Sequence, residues 1–365
     1  MTTPAGDLRD RRKAAAAACT RWLVWRGVGP DLPSGTAGDI DRYGTDGAVA
    51  ELEAEVAELL GKPAAVFMPS GVMAQQSVLR ALADERGTTR VALHGLSHFV
   101  RHELNALEEV HGLRLEHLTD DPRQPRPEDL DAIPGRLAAV ALELPLREAG
   151  YLLPTWDELV VFSEHAAARG VPLHLDGARL WESAPYLGRS LAEIAALAQT
   201  VYVSFYKGLG GPAGAAVAGP ADVIATARRW QRRLGGNLFT LMPYAVPARA
   251  GLRELVPRMA EFHERAGELA KALSAAGFRV LPDPPHTNAF RLFAEADAVR
   301  LDTASVEHME RTRESISAAW ASADVPGWSW TELVVGPTTM EWTVDEAVKR
   351  LSGLVLIAVA QGEGK

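Results

Sequence analysis

The chain has 365 residues, 47% of them hydrophobic and 23% charged, with a formal net charge of −9. That balance suits one large core plus a smaller second domain, and it leaves no basic stripe for nucleic acid. A single cysteine, Cys19, excludes an internal disulfide framework and fits a reducing, cytoplasmic compartment, while the lack of any run of about 18 apolar residues argues against a membrane span.

The start of the chain is charged from Arg9 to Lys13 and then alanine-rich to Ala18. Arg21 and Arg26 interrupt the following apolar stretch, so an amphipathic first helix is expected rather than a signal peptide. Gly47 to Leu60 reads as a helix with Val49, Leu52 and Val56 on one face, closed by Gly61. "AAVFMPSG" is a short apolar run broken at Pro69-Ser70-Gly71, and a helix follows it. Strands are expected in "TTRVALHG" and "RLAAVALELPL", then a helix in "WDELVVFSEHAAARG". "VPLHLDGARL" reads as a strand ending near Asp176, "TVYVSFYKG" as one ending at Lys207, and "GAAVAG" as one more. Strands alternating with helices predict an α/β fold with a mostly parallel sheet between helices. An arginine-rich helix, Ala221 to Leu234, is expected to form the join to a second domain. Beyond it come helices from Ala248 to Ala276, strands in "FRVLP" and "NAFRLFA", a helix from Ser305 to Ala321, a strand in "WTELVVGP" and a last helix from Val344. The expected domains are a helical segment over residues 1–40, a large domain over 41–246 and a small α+β domain over 247–365.

Ligands of open α/β sheets bind beyond the carboxyl ends of the strands. Four of those ends carry Ser70-Gly71, His98, Asp176 and Lys207. Each alone has a commoner explanation: a helix cap, a solvated loop histidine, a capping aspartate, a turn lysine. Lys207 is nevertheless unusual, because the chain holds only six lysines against thirty-two arginines, and this one ends an apolar run. Taken together the four groups match the needs of pyridoxal 5′-phosphate. That cofactor requires a lysine amine for a Schiff base, a carboxylate at the pyridine nitrogen, a flat side chain on the ring and a helix N-terminus at the phosphate. Arginine cannot form the imine, which accounts for the lysine. A dinucleotide loop at Gly208-x-Gly210 is disfavoured by Pro212 inside the turn and by the absence of an acid about 20 residues on. His94, His98 and His102 recur at metal-like spacing, but Gly95 and Ser97 favour a strand-to-loop reading without a metal.

The segments "DRYGTDGAVAELEAEVAELLGKPAAVFMPSGVMAQQ", "HLDGARLWESA" and "YKGLGGPAGAAVAG" resemble the threonine aldolase group of fold-type-I pyridoxal-phosphate enzymes, within the β-eliminating lyase family. "LGGNLFT" and "HTNAFRLF" are similar to later family segments, so the resemblance runs from about Tyr43 to Phe293. It implies that Lys207 holds the cofactor, that Asp176 faces the pyridine nitrogen, and that His98 stacks on the ring and helps deprotonate the substrate hydroxyl. It places Ser70, Gly71 and Val72 at the phosphate, with Ser204 also beside the cofactor. Arg179 would meet the substrate carboxylate or the ring oxygen, and Tyr43 and Asp46 would reach a neighbour's pocket in a homodimer or homotetramer. The chain also departs from the family pattern. Tyr206 stands where a serine precedes the lysine, Val72 replaces a threonine, and Phe239 stands in place of an arginine near the phosphate. "ELPLREAG" replaces a Glu-Asn-Thr-His segment, and "TELVVGPTT" lacks the arginine expected for the substrate carboxylate, leaving Arg147 or the arginines of "RRWQRRLGG" as substitutes. The implied reaction is cleavage of the Cα–Cβ bond of a β-hydroxy-α-amino acid to glycine and an aldehyde. Two alternatives remain: another amino substrate processed by elimination, aldol chemistry or transamination, and a non-catalytic binding homologue.

Overall fold

The computed structural model describes residues 4–24 and 41–363. Residues 25–40, including Arg26 and the end of the expected N-terminal segment, lie outside the described residues. The chain divides into two units: Gly27–Met259, and Ala260–Lys365 together with Met1–Arg26.

The first unit is built on a seven-stranded sheet. Its strands are β1 (Ala64–Met68), β2 (Arg90–Leu93), β3 (Arg114–His117), β4 (Ala139–Glu143), β5 (Leu173–Gly177), β6 (Thr200–Ser204) and β7 (Ala215–Gly219). They lie in the order β1-β7-β6-β5-β4-β2-β3. β7 is antiparallel to both neighbours and the other pairs are parallel. β1 and β4 to β7 are apolar almost throughout because both faces are covered, and their residues are buried nearly without exception. β3 reads Arg-Leu-Glu-His because it lies at the sheet edge; its polarity kept it out of the sequence reading. β7 reverses direction because only residues 205–214 separate it from β6, too few for the crossover that parallel neighbours need.

Two helices matter most for the site. Gly71–Arg86 leaves β1, with Ser70 accepting from the Met73 amide at 3.2 Å as its N-cap. Its apolar residues Ala74, Val78 and Leu82 pack with Met68 and Tyr202 of the sheet. Ala221–Arg233 lies against that helix, and Trp230 Nε1 donates to Asp84 at 2.9 Å. It is part of the large unit, but not its last helix. The next helix, Met242–Glu254, also belongs to this unit: Arg249 and Arg253 bind Glu55 of the helix Gly47–Leu59. The boundary consequently falls at Met259 instead of residue 246.

The second unit carries a four-stranded antiparallel sheet of Arg279–Leu281, Ala289–Ala294, Ala321–Ser322 and Ser329–Val334. The helix expected over Ser305 to Ala321 runs instead over Ala298–Thr312. Asp297 starts it by accepting from the Val299 and Arg300 amides, both at 3.1 Å, and Arg313 ends it in the left-handed conformation at φ 63°. The first helix, Pro4–Ala17, packs on it, with Ala15 against Val306 and Met309. Arg21–Trp22 pairs in parallel with Glu314–Ser315. The N-terminal segment is thus a component of the C-terminal unit. Among the described residues no helix is long and apolar enough to cross a membrane.

Candidate active site

Three neighbouring strands end side by side. Glu143 closes β4 and pairs in register with Asp176 of β5, which in turn pairs with Tyr202 of β6. β6 ends at Ser204, so Lys207 lies three residues beyond the strand, in the glycine-rich turn, and not at the strand end expected. Asp176 is 2% exposed and accepts one hydrogen bond, from the Ala178 amide at 3.1 Å. Burial pushes its carboxyl above the usual range, while the charges of Lys207 and His98 pull it down. Burial pulls the Lys207 amine below its ordinary value, against the opposing pull of Asp176, Glu143 and Glu182. The amine makes no hydrogen bond or ion pair among the described residues.

His98 opens the short helix His98–Arg101. Its amide donates to Glu143 Oε2 at 2.8 Å, and its ring Nδ1 donates to Glu103 Oε1 at 3.0 Å. Glu103 is buried and raises the His98 pKa through that bond. Glu143 also accepts from the Arg147 amide at 3.1 Å. Burial, with Asp176 adding to it, raises Glu143 to about 7.

The helix Gly71–Arg86 aims its N-terminus at the same sheet end. A Cβ on Gly71 would lie 2.1 Å from the Tyr202 hydroxyl, so glycine alone permits this approach. Ser70 is exposed beside it, and Val72 is half-buried. The Tyr202 and Tyr206 hydroxyls both lie against Ser204, which is fully buried. Ser70, Gly71, Val72, His98, Asp176, Ser204 and Lys207 are thereby gathered around one end of the sheet.

Arg179 joins them. Its Nη1 lies 3.6 Å from Glu182 Oε1, and its guanidinium lies 5.4 Å from the Tyr151 ring centroid. Tyr43 is not brought to this cluster within the chain; it stands exposed, edge-on to Phe239 at 5.6 Å between centroids. Asp46 caps the helix Gly47–Leu59 and accepts from the Arg42 amide at 3.0 Å. Of the substitutes considered for a carboxylate arginine, Arg147 binds Glu148 at 2.8 Å, Arg228 binds Glu53, and Arg233 lies over Trp230. The sequence reading missed Glu103, Glu143 and Glu182. Glu143 ends a strand just as Asp176 does, and Glu182 stands at i+3 from Arg179; only the fold turns these positions toward the lysine.

A match to the β-eliminating lyase family spans residues 34–297. That span is most of the chain and contains every residue of the cluster. The chain belongs to the β-eliminating lyase family. It is similar to the aldolase vrtJ of Penicillium aethiopicum, at 33% identity over 70% of this chain and 68% of that one. A solved structure from Exiguobacterium sp. 255-15, provisionally assigned as an aromatic amino acid β-eliminating lyase/threonine aldolase, is 35% identical with a TM-score of 0.87, covering 94% of this chain and 99% of that one. A provisionally assigned L-allo-threonine aldolase from Listeria monocytogenes EGD-E is 32% identical with a TM-score of 0.87, covering 95% and 99%. The fold is that of the fold-type-I pyridoxal-phosphate enzymes, as the sequence resemblance implied.

The cofactor of this β-eliminating lyase is pyridoxal 5′-phosphate. The donor set fits it. Among the described residues the cluster holds a buried amine without an ion-pair partner, a buried carboxyl with one hydrogen bond, and a helix N-terminus whose first residue only glycine can occupy.

Proposed function

We propose that this lyase cleaves the Cα–Cβ bond of a β-hydroxy-α-amino acid, yielding glycine and an aldehyde. The observation that carries this reading is the placing of Lys207 against Asp176, with His98 oriented beside them by Glu103. The aldolase and L-allo-threonine aldolase relatives support the substrate class.

When bound, pyridoxal phosphate withdraws electrons from the Cα of an amino acid joined to it. Lys207 would hold the cofactor through its amine. Its burial enlarges the neutral fraction of the amine, which favours both attack and later service as a base. Asp176 holds a proton at the pyridine nitrogen; its burial at the base of the site keeps water from competing for that proton. Ser70, Gly71 and Val72 direct the helix N-terminus at the phosphate, with Ser204 alongside. His98 would supply the flat side chain for the ring. Because Nδ1 is committed to Glu103, Nε2 is the atom that takes the substrate hydroxyl proton, directly or through a water. Arg179 binds the substrate carboxylate.

The exposed Tyr43–Phe239 pair supports a homodimer or homotetramer in which Tyr43 reaches a neighbour's site. The single cysteine supports a cytoplasmic location.

The test is the visible spectrum of the purified protein beside its Lys207→Ala variant, followed by assay of glycine release from threonine and allo-threonine. The expected result is a cofactor band altered or lost in the variant and glycine formed only by the wild type. A wild type that stays colourless with added cofactor refutes the reading.

A further inference from the structure

Glu182 is a buried acid to which the reaction above gives no role. It lies on the helix Leu180–Leu187 and is 1% exposed. Neither carboxylate oxygen meets a hydrogen-bond donor from another described residue. A buried carboxylate is costly unless something compensates it, so its neighbours must supply the reason for it. There are two. A Cβ on Gly208, the residue after Lys207, would lie 2.1 Å from Glu182 Oε1, so the acid is wedged against the backbone of the lysine turn. On the other side Arg179 Nη1 lies 3.6 Å away, itself buried and without a hydrogen bond.

This arrangement divides the guanidinium into two edges. The Nη1 edge faces Glu182, and the Tyr151 ring centroid lies 5.4 Å from Cζ. No described acceptor binds the remaining edge, and the side chain keeps 13% exposure. An arginine recognises a carboxylate best through two parallel N–H bonds, which requires the planar group to be held at one angle.

We propose that Glu182 is a positioning residue for substrate recognition: wedged between Gly208 and Arg179, it holds the guanidinium so that its free edge takes the carboxylate of the amino acid. The proposal rests on the reading of Arg179 given above. It also explains the glycine after the catalytic lysine, since any side chain at 208 would expel the acid.

The test compares L-serine with ethanolamine, the same molecule without its carboxylate. Binding of each to the cofactor-loaded enzyme is read from the visible band, for wild type, Glu182→Gln and Gly208→Ala. The amide variant is nearly isosteric, and retention of the band reports a folded, loaded protein. For Glu182→Gln, L-serine is expected to bind about tenfold more weakly, one charge-assisted contact's worth, with ethanolamine unchanged. Gly208→Ala is expected to reproduce that selective loss, and in turnover the loss falls on KM. Equal weakening of both ligands, or L-serine binding unaffected in Glu182→Gln, overturns the proposal while leaving the lysine and aspartate roles intact. A wild type that takes up no cofactor overturns the reading of the site as a whole.

Discussion

At the scale of single residues, burial raises the carboxyl pKa of Asp176, Glu143 and Glu182. Glu143 shows this most directly, because its carboxylate accepts from the His98 and Arg147 amides and so connects β4 to the loop bearing His98. Its folded pKa of about 7 lies above the ordinary value of 4.5. The native state therefore binds its proton more tightly than the unfolded chain does. The associated stability is fully present below about pH 4.5 and is lost as pH rises through about 7. Gln cannot ionise, so Glu143→Gln should gain on the wild type as pH climbs across that window, by ~3 kcal/mol at most. The amide also sacrifices one backbone hydrogen bond, a cost that does not vary with pH. Denaturant unfolding of the two proteins between pH 5 and 8 measures the difference; parallel curves would show that Glu143 does not titrate there. Lys207, Asp176 and His98 were legible in the sequence as chemically capable groups at strand and loop ends, and Arg179 through the family resemblance. Glu103, Glu143 and Glu182 were not: Glu103 in a loop and Glu182 in a helix read as solvated until packing buries them, and Glu143, at a strand end like Asp176, gains its neighbours only from the sheet register.

At the scale of elements, the helix Gly71–Arg86 is held to the sheet by a close approach at its first residue. The Tyr202 hydroxyl lies 2.1 Å from where a Gly71 Cβ would stand, with the ring carbon behind it at 3.0 Å. Gly71→Ala should therefore destabilise the protein, by roughly 1–3 kcal/mol as an overpacked contact. Adding Tyr202→Phe removes the nearer clash but not the farther one, so the double variant should recover part of the loss. Denaturant midpoints of the single and double variants check this, and strict additivity would show that the two positions do not touch. The strands and helices of the large unit were legible because their apolar runs and caps are local features. β3 was missed because an edge strand needs no apolar run, and the 298–312 helix was displaced because Asp297 caps it.

At the scale of the whole molecule, the two ends of the chain fold together. Ala15 packs on Val306 and Met309, Arg12 binds Asp302 at 2.6 Å, and Arg21–Trp22 adds a strand beside Glu314–Ser315. Deleting residues 1–24 should expose that apolar surface and destabilise the C-terminal unit. Calorimetry of the truncated chain should show a lowered transition, while the cofactor band of the large unit reports whether that unit remains folded. An unchanged transition would mean that the N-terminal segment contributes little.

By itself the sequence determined the local and the covalent: which runs are apolar enough to be buried strands, where helices are capped, and which side chain is able to form an imine. The spacing of "HLDGARLWESA" and "YKGLGGPAGAAVAG" was enough to indicate the family and its cofactor. Only the tertiary structure decided which acids surround Lys207, where the large unit ends, and which unit the first helix joins. Those depend on residues far apart in the chain being packed out of water, and burial is what raises the carboxyl pKa of Glu143, Asp176 and Glu182.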